Sequence, residues 1–418
     1  MPRLTRDRTT WLTYAQLGLW GFFLYGFGPV VPLLRDEQGT SAAVAGLHSS
    51  AIAVGALLGG ALFAPLARRI GRGPAIWTGV AGVGAGVAAF GTVRPLPATL
   101  TAVAVIATFG MIVVSGVAVV LTAQHGAGAP AALTEANAVC AGMGILAPLV
   151  IGASVDAGLG WRPVMAVEVG LIALVALAAL TFRVRLPHTA TATAATAAPA
   201  SGAAAASAPD ARALSASGGG ERALPAAYWI AWLLMAVTGS IEVCLSLWTA
   251  DVLRSHAGLS AGTAAAAVAA IVCGMFVGRL VGGRIALRLQ PVPLLLAALG
   301  LSFAGFALFW GATAGWLAVT GLVVLGLGNA LHYPLAISIA LAVAGPAAER
   351  AAGWSAYSMG VGFGIAPVAL GRLADGIGPH LAFLVLPGFI AVAALLAVRL
   401  GRSLRPSVQD QDLTPVGA

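Results

Sequence analysis

Few side chains in this sequence can do chemistry, and those few sit inside long apolar runs. Glu242 lies about 22 Å into the run 227–250 at 1.5 Å per residue, with Thr238, Ser246 and Thr249 on the same helical face. A polar stripe with one carboxylate suits a cavity wall, where Glu242 would take a proton or a cationic solute group. The competing reading is a structural carboxylate hydrogen-bonded between helices. Asn329, His332 and Tyr333 stand at i, i+3 and i+4, a spacing that projects all three from one helix face. They are candidates for solute contact, and His332 also for proton transfer, because imidazole titrates near neutrality; the alternative is packing against neighbouring backbone. His48 and Tyr25 are further candidates. Arg279, in GRLVGGRI, is expected to snorkel to the aqueous face and to gate or anchor there. Glu135 and Asn137 suit the first turns of a helix whatever the function, Trp354 and Tyr357 read as interface anchors, and Glu168 reads as lying close to the outer surface.

Other chemistries are not supported. No Cys, His or acidic cluster has metal-ligand spacing and no phosphate-binding loop occurs, so the expectation is no metal, no cofactor and no enzyme. GLSAG at 258–262 imitates a hydrolase nucleophile motif, which needs a strand before it and a helix after it. Here it precedes an apolar run, and Ser260, like Ser41, reads as a helix N-cap.

These residues are carried by elements of unusual composition. Of 418 residues, 59% are hydrophobic and only 9% charged, with mean hydropathy +0.95, whereas a soluble chain carries about 25% charged residues. The apolar runs reach the roughly 20 residues that cross a bilayer as a helix. They predict twelve spans near 11–34, 42–65, 74–94, 96–124, 131–157, 161–184, 227–250, 262–286, 291–313, 315–343, 351–375 and 379–400. A lipid-embedded barrel would show weak ten-residue alternation instead, so the expected class is an all-α membrane protein in contact with the lipid bilayer. The net charge of +8 then reflects topology rather than nucleic acid. Arginines concentrate at the N-terminus, at Arg68, Arg69 and Arg72, around 183–222, at Arg284 and Arg288, at Arg350 and at 399–405. That bias places both termini in the cytoplasm and makes the plasma membrane the expected location. The first run has no small-residue cleavage site and is expected to be retained. Cys140, Cys244 and Cys273 all fall within spans and indicate no disulfide framework.

The chain repeats itself. Shifting it by about 219 residues lays LRDEQGTSA at 34–42 on LRSHAGLSA at 253–261, Pro148 on Pro367, Gly152 on Gly371 and Asp156 on Asp375. Between the copies, 187–225 is too poor in large apolar groups to fold or span. The expected organisation is a six-helix bundle at 1–186, a cytoplasmic linker at 187–225, a second bundle at 226–403 and a cytoplasmic tail at 404–418. Parallel repeats of six helices are the arrangement of the major facilitator fold. The loop APLARRIGRG at 64–73 resembles that superfamily's signature, approximately G-x-L-A-D-R-x-G-R-R: Arg69, Gly71 and Arg72 match, and Arg68 replaces the usual Asp. A weaker copy carries Leu287 in the Asp position, followed by Arg288.

The resemblance, to an orphan branch of the superfamily, implies two pseudo-symmetric six-helix bundles that rock about a midplane cavity. It also implies a conformational role for Arg68, Arg69, Gly71, Arg72, Arg279, Arg284 and Arg288; the Asp that latches one state in the family is missing. The segment IEVCLSLWTADVL at 241–253 resembles the seventh helix of several sugar-uptake and orphan branches. The implied function is alternating-access transport of a small organic solute by a monomer, coupled to protons. Drug or metabolite efflux by proton antiport is the alternative; helix four lacks the Arg usual there, and Ala147-Pro148 replaces the usual Gly-Pro pair of helix five. A transport-like sensor is a third reading.

Overall fold

The computed structural model describes residues 6–184, 186, 224–286 and 288–403. Most of the expected linker at 187–225 and all of the tail at 404–418 lie outside the described residues. Among the described residues all the long elements are helices: α1 (Arg8–Gln38), α2 (Ala42–Ile70), α3 (Arg72–Thr92), α4 (Leu96–His125), α5 (Ala129–Asp156), α6 (Arg162–Thr181), α7 (Ala226–Ser255), α8 (Ala261–Ala267), α9 (Ala269–Ala286), α10 (Pro291–Trp310), α11 (Gly315–Asn329), α12 (His332–Ala344), α13 (Ala348–Ile377), α14 (Pro379–Ala382) and α15 (Val385–Ser403). Twelve segments are long and apolar enough to cross a membrane, α8–α9, α11–α12 and α14–α15 each combining into one span. Backbone groups in hydrocarbon must be bonded within the segment, which is why apolar runs of this length become helices.

Local chemistry sets the ends. Ser41 and Ser260 cap α2 and α8, their hydroxyls accepting from Val44 N at 3.3 Å and Thr263 N at 3.1 Å. Gly71 joins α2 to α3 at φ 91°, ψ 160°, a conformation that β-carbon sterics deny to other residues, so the matching glycine of the signature loop has a backbone reason. The tenth span was expected to be continuous over 315–343, but it breaks at Ala330 and Leu331. Pro334 supplies the cause: it has no N–H for the Ala330 carbonyl, and its ring crowds that carbonyl.

Two six-helix bundles face each other, spans one to six against spans seven to twelve. We call the face bearing Arg8 and Arg402 the terminal face. The described ion pairs between bundles lie on the opposite face. There the Arg35 guanidinium binds both carboxylate oxygens of Asp251, and Arg254 reaches Asp36 at 2.8 Å. Two clasps obey the repeat. Asp375, at the end of α13, accepts from the backbone N–H groups of Ala42 (2.7 Å) and Ala43 (3.0 Å) at the start of α2. Its mate Asp156, at the end of α5, accepts from Ser260 Oγ (2.8 Å) and Thr263 Oγ1 (3.3 Å) at the start of α8. In both, a carboxylate of one bundle meets the positive end of a helix in the other. Glycines allow the approach: a Cβ at Gly371 would come within 2.5 Å of the Ala42 carbonyl, and one at Gly152 within 2.5 Å of the Gly262 carbonyl.

Each clasp contributes on the order of 1 kcal/mol to closure of the opposite face. Replacing both Asp156 and Asp375 by Ala should therefore shift the open-to-closed ratio by about tenfold or more. Electron-spin distance measurements between labels at Leu159 and Ile377 are expected to reveal a longer-distance population in the double variant.

Candidate functional site

Prolines and serines shape the wall where the bundles meet. Pro367 inside α13 cannot donate to the Phe363 carbonyl, and Ser49 Oγ from α2 donates to that carbonyl instead at 2.7 Å. Ser50 Oγ donates to the next carbonyl, Gly364, at 2.5 Å. Trp248 Nε1 donates to the Pro367 carbonyl at 3.3 Å, and a Cβ on Gly46 would lie 2.9 Å from the same oxygen. The carbonyls before the proline are thus bonded from the other bundle, and the proline's own carbonyl from within its bundle. The repeat mate of Ser49 is Val268, at the α8–α9 break, so this device exists in one copy only.

Beneath this wall lie two adjoining cavities that share Leu24, Ile52 and Phe363. The one nearer the opposite face has a volume of roughly 50 Å³, and its polar lining comes from Tyr25, Ser49, Glu242 and Ser246, with Phe27, Met275 and other apolar groups around them. The other, also roughly 50 Å³, extends toward the terminal face past Trp20, Met111 and Met359. Both are walled by residues of the two bundles.

The sequence candidates divide between this cavity and the helix packing. Glu242 and Tyr25 line the cavity, one from each bundle. Tyr25 lies on Gly144 of α5, where a β-carbon would strike the phenol ring. Tyr333 faces Glu242 and Tyr228 within the second bundle. Arg279 was expected to snorkel; its side chain instead turns inward from α9. It comes within hydrogen-bonding reach of the Tyr25 hydroxyl and electrostatic reach of Glu242 and Cys140. Its Nε is buried without an acceptor. A guanidinium at this depth is costly in lipid, so the oxygen groups of the interior draw it in.

Asn329, His332 and Tyr333 meet three different helices, α9, α10 and α7. Asn329 Nδ2 lies 3.7 Å from Met275 Sδ, behind the cavity wall. His332 faces Ser302 of α10, with Nε2 and Oγ 3.1 Å apart. His48 is fully buried inside the first bundle, bonded to Thr99 Oγ1 at 3.0 Å and the Ala45 carbonyl at 3.1 Å. Glu135 pairs with Arg6 and accepts from Tyr14. Glu168, expected near the surface, is fully buried on α6 with neither carboxyl oxygen bonded. Arg68, Arg69, Arg72 and Arg288 stand at the terminal face, far from the cavity; the Arg284 side chain lies outside the described residues. Ser49, Ser50 and Met275 escaped the sequence reading. The serines had one usable signal, a proline four residues beyond a carbonyl in the facing helix.

This geometry can be set beside known proteins. The family model of the Major Facilitator Superfamily matches residues 13–364. The chain belongs to that superfamily. Solved transporters of the superfamily share its fold over nearly the full length. A point mutant of the nucleoside transporter NupG superposes with TM-score 0.74 at 16% identity, covering 94% of this chain and 98% of that one. A bacterial homologue of the human lysosomal transporter Spinster, inward-facing and unoccupied, gives 0.72 at 16% identity, with 96% and 99% covered. FucP, a superfamily transporter in the outward conformation, gives 0.58 at 18% identity, with 94% and 98% covered. No curated protein shows significant sequence similarity to the chain. The likeness to solved structures fixes the superfamily fold, and family and neighbours alike are transporters.

Because Tyr25 rests on Gly144, Gly144→Leu should displace it from Arg279 and cost about 1–3 kcal/mol by overpacking. Gly142, two residues away, has nothing within 4 Å of its β-position, and Gly142→Leu should be near neutral. Thermal unfolding of the two purified variants in detergent checks the contrast.

Proposed function

We propose that the chain is a secondary active transporter that carries a small organic solute by alternating access and couples it to protons, with Glu242 as the proton-binding group. The observation that carries this reading is a carboxylate at mid-depth facing a cavity between two bundles, where ionisable groups are costly and serve pathways or relays. Support also comes from the seal, whose ion pairs and carboxylate clasps lie on the opposite face while the second cavity extends toward the terminal face. That is one of the two states a rocking carrier needs. The arginine bias makes the terminal face cytoplasmic and fits a plasma-membrane protein. The site is complete within one chain, as a monomer requires.

Purified protein in liposomes tests the coupling. Solutes that raise its thermal stability would be imposed as gradients while a trapped pH dye reports proton movement. Wild type is expected to move protons with the solute, and Glu242→Gln to reduce that proton flux at least about tenfold while solute binding persists. Proton flux unchanged in the variant would remove Glu242 from the coupling role. A thiol introduced at Ala205 should be labelled only from the cytoplasmic side, and labelling from outside would invert the topology.

A further inference from the structure

The central charges limit what the cavity can hold. Among the described residues Arg279 makes no ion pair. Its polar neighbours are the Tyr25 hydroxyl and, at longer range, Glu242 and Cys140, and its Nε is buried without an acceptor. A guanidinium has five donors in a planar fork whose edges match a carboxylate, and one phenol oxygen cannot satisfy them. Nε is the atom left over, and the edge of a carboxylate would give it an acceptor. A cationic solute would meet Arg279 beside Glu242 and be repelled. A polyhydroxyl solute would find few partners: Ser49 is spent on the Phe363 carbonyl, and most of the lining is apolar.

Resting on the transporter reading above, we propose that the solute is a monocarboxylate with an apolar body, bound through its carboxylate by Arg279, and that its arrival loads one proton onto Glu242. With Glu242 ionised the empty site holds one positive and one negative charge, and a bound carboxylate leaves one negative charge in excess. In a low-dielectric cavity that excess is costly, and a proton on Glu242 removes it, so solute and proton enter together without net charge. The groups facing Glu242 leave the proton nowhere else to go. Tyr25 approaches from α1, Arg279 from α9 and Tyr333 from α12, while α13 presents Met359 and Phe363 beside Gly239, one turn away. None of these is a second carboxylate. Tyr25 belongs to the other bundle, so rocking of the bundles would alter the hold on Arg279 and hence on the anion.

The test uses the full-length protein with hexanoate and benzoate, against benzamide, benzylamine and phenylalanine as neutral, cationic and zwitterionic counterparts. Calorimetry at several pH values should show the carboxylates binding, the counterparts binding at least about tenfold more weakly, and carboxylate affinity falling about tenfold per unit of rising pH, as uptake of one proton requires. Glu242→Gln should flatten that dependence. Arg279→Gln should weaken carboxylate binding by about thirtyfold or more, with Arg279→Lys in between. If Arg279→Gln does not fold, the contrast in pH dependence between wild type and Glu242→Gln decides. Equal binding of carboxylate and amide, no carboxylate binding at all, or pH-independent binding in wild type would overturn the proposal. Should a neutral or cationic solute instead drive Glu242-dependent proton flux in liposomes, the carboxylate assignment falls and the proton-coupled carrier stands. Proton flux indifferent to Glu242 for every transported solute would sink the carrier's coupling scheme as well.

Discussion

Hydrocarbon offers no hydrogen-bond partners, and every polar group that this chain carries into the membrane must find one within the protein. The helices meet the requirement for most of the backbone. The exceptions are where the structure becomes informative. Pro367 orphans the Phe363 carbonyl, and a serine from the facing bundle bonds to it. Pro334 interrupts the helical hydrogen bonding of the tenth span, and His332 beside the break meets Ser302. Arg279 cannot remain in an apolar environment and turns to Tyr25 and Glu242. In the first and last of these cases, satisfaction comes from the other bundle, so the interface between bundles carries the polar connections of the interior.

The same requirement explains how the two bundles separate scaffold from site. Features shared by both copies lie at the opposite face: Ser41 and Ser260 as caps, Asp156 and Asp375 as clasps, Gly152 and Gly371 as close-approach points. Two equivalent contacts placed symmetrically close one end evenly and can release together. Features present in one copy lie at the centre. The repeat sets Glu242 against Phe23, Arg279 against Gly60 and Tyr25 against Cys244. Chemistry is thus confined to the positions where the copies have diverged.

Much of this was legible in the sequence, for physical reasons that also mark the limit. Span count and ends follow from run length and from caps, which are local properties, and the bundles follow from an uninterrupted register such as Ser41 with Ser260. Glu242 and Tyr25 could be placed in a cavity because a mid-span polar group at helical spacing has few other uses. Arg279 could not be placed, because the choice between snorkelling and inward pairing depends on the position of Tyr25 on a different helix. The spacing of Asn329, His332 and Tyr333 could not say which neighbour each would meet, because α9, α10 and α7 all border the tenth span. Ser49 and Ser50 were missed because their role depends on a proline more than 300 residues away in sequence.

Confining the charges to one bundle has a mechanical consequence. Glu242 and Arg279 sit on helices of the same bundle and keep their separation when the bundles rock as rigid bodies. Tyr25 moves with the first bundle, anchored on Gly144, and so does most of the apolar wall formed by Leu24, Phe27 and Ile52. In the proposed cycle, what would change between states is therefore not the spacing of the two charges but what covers them: a phenol and a dry wall in one state, open access in the other. Because Coulomb interactions strengthen as water is excluded, movement of a largely apolar surface is enough to alter how strongly the fixed charges hold a ligand. A carrier built this way needs no ionisable group on the moving side of its site.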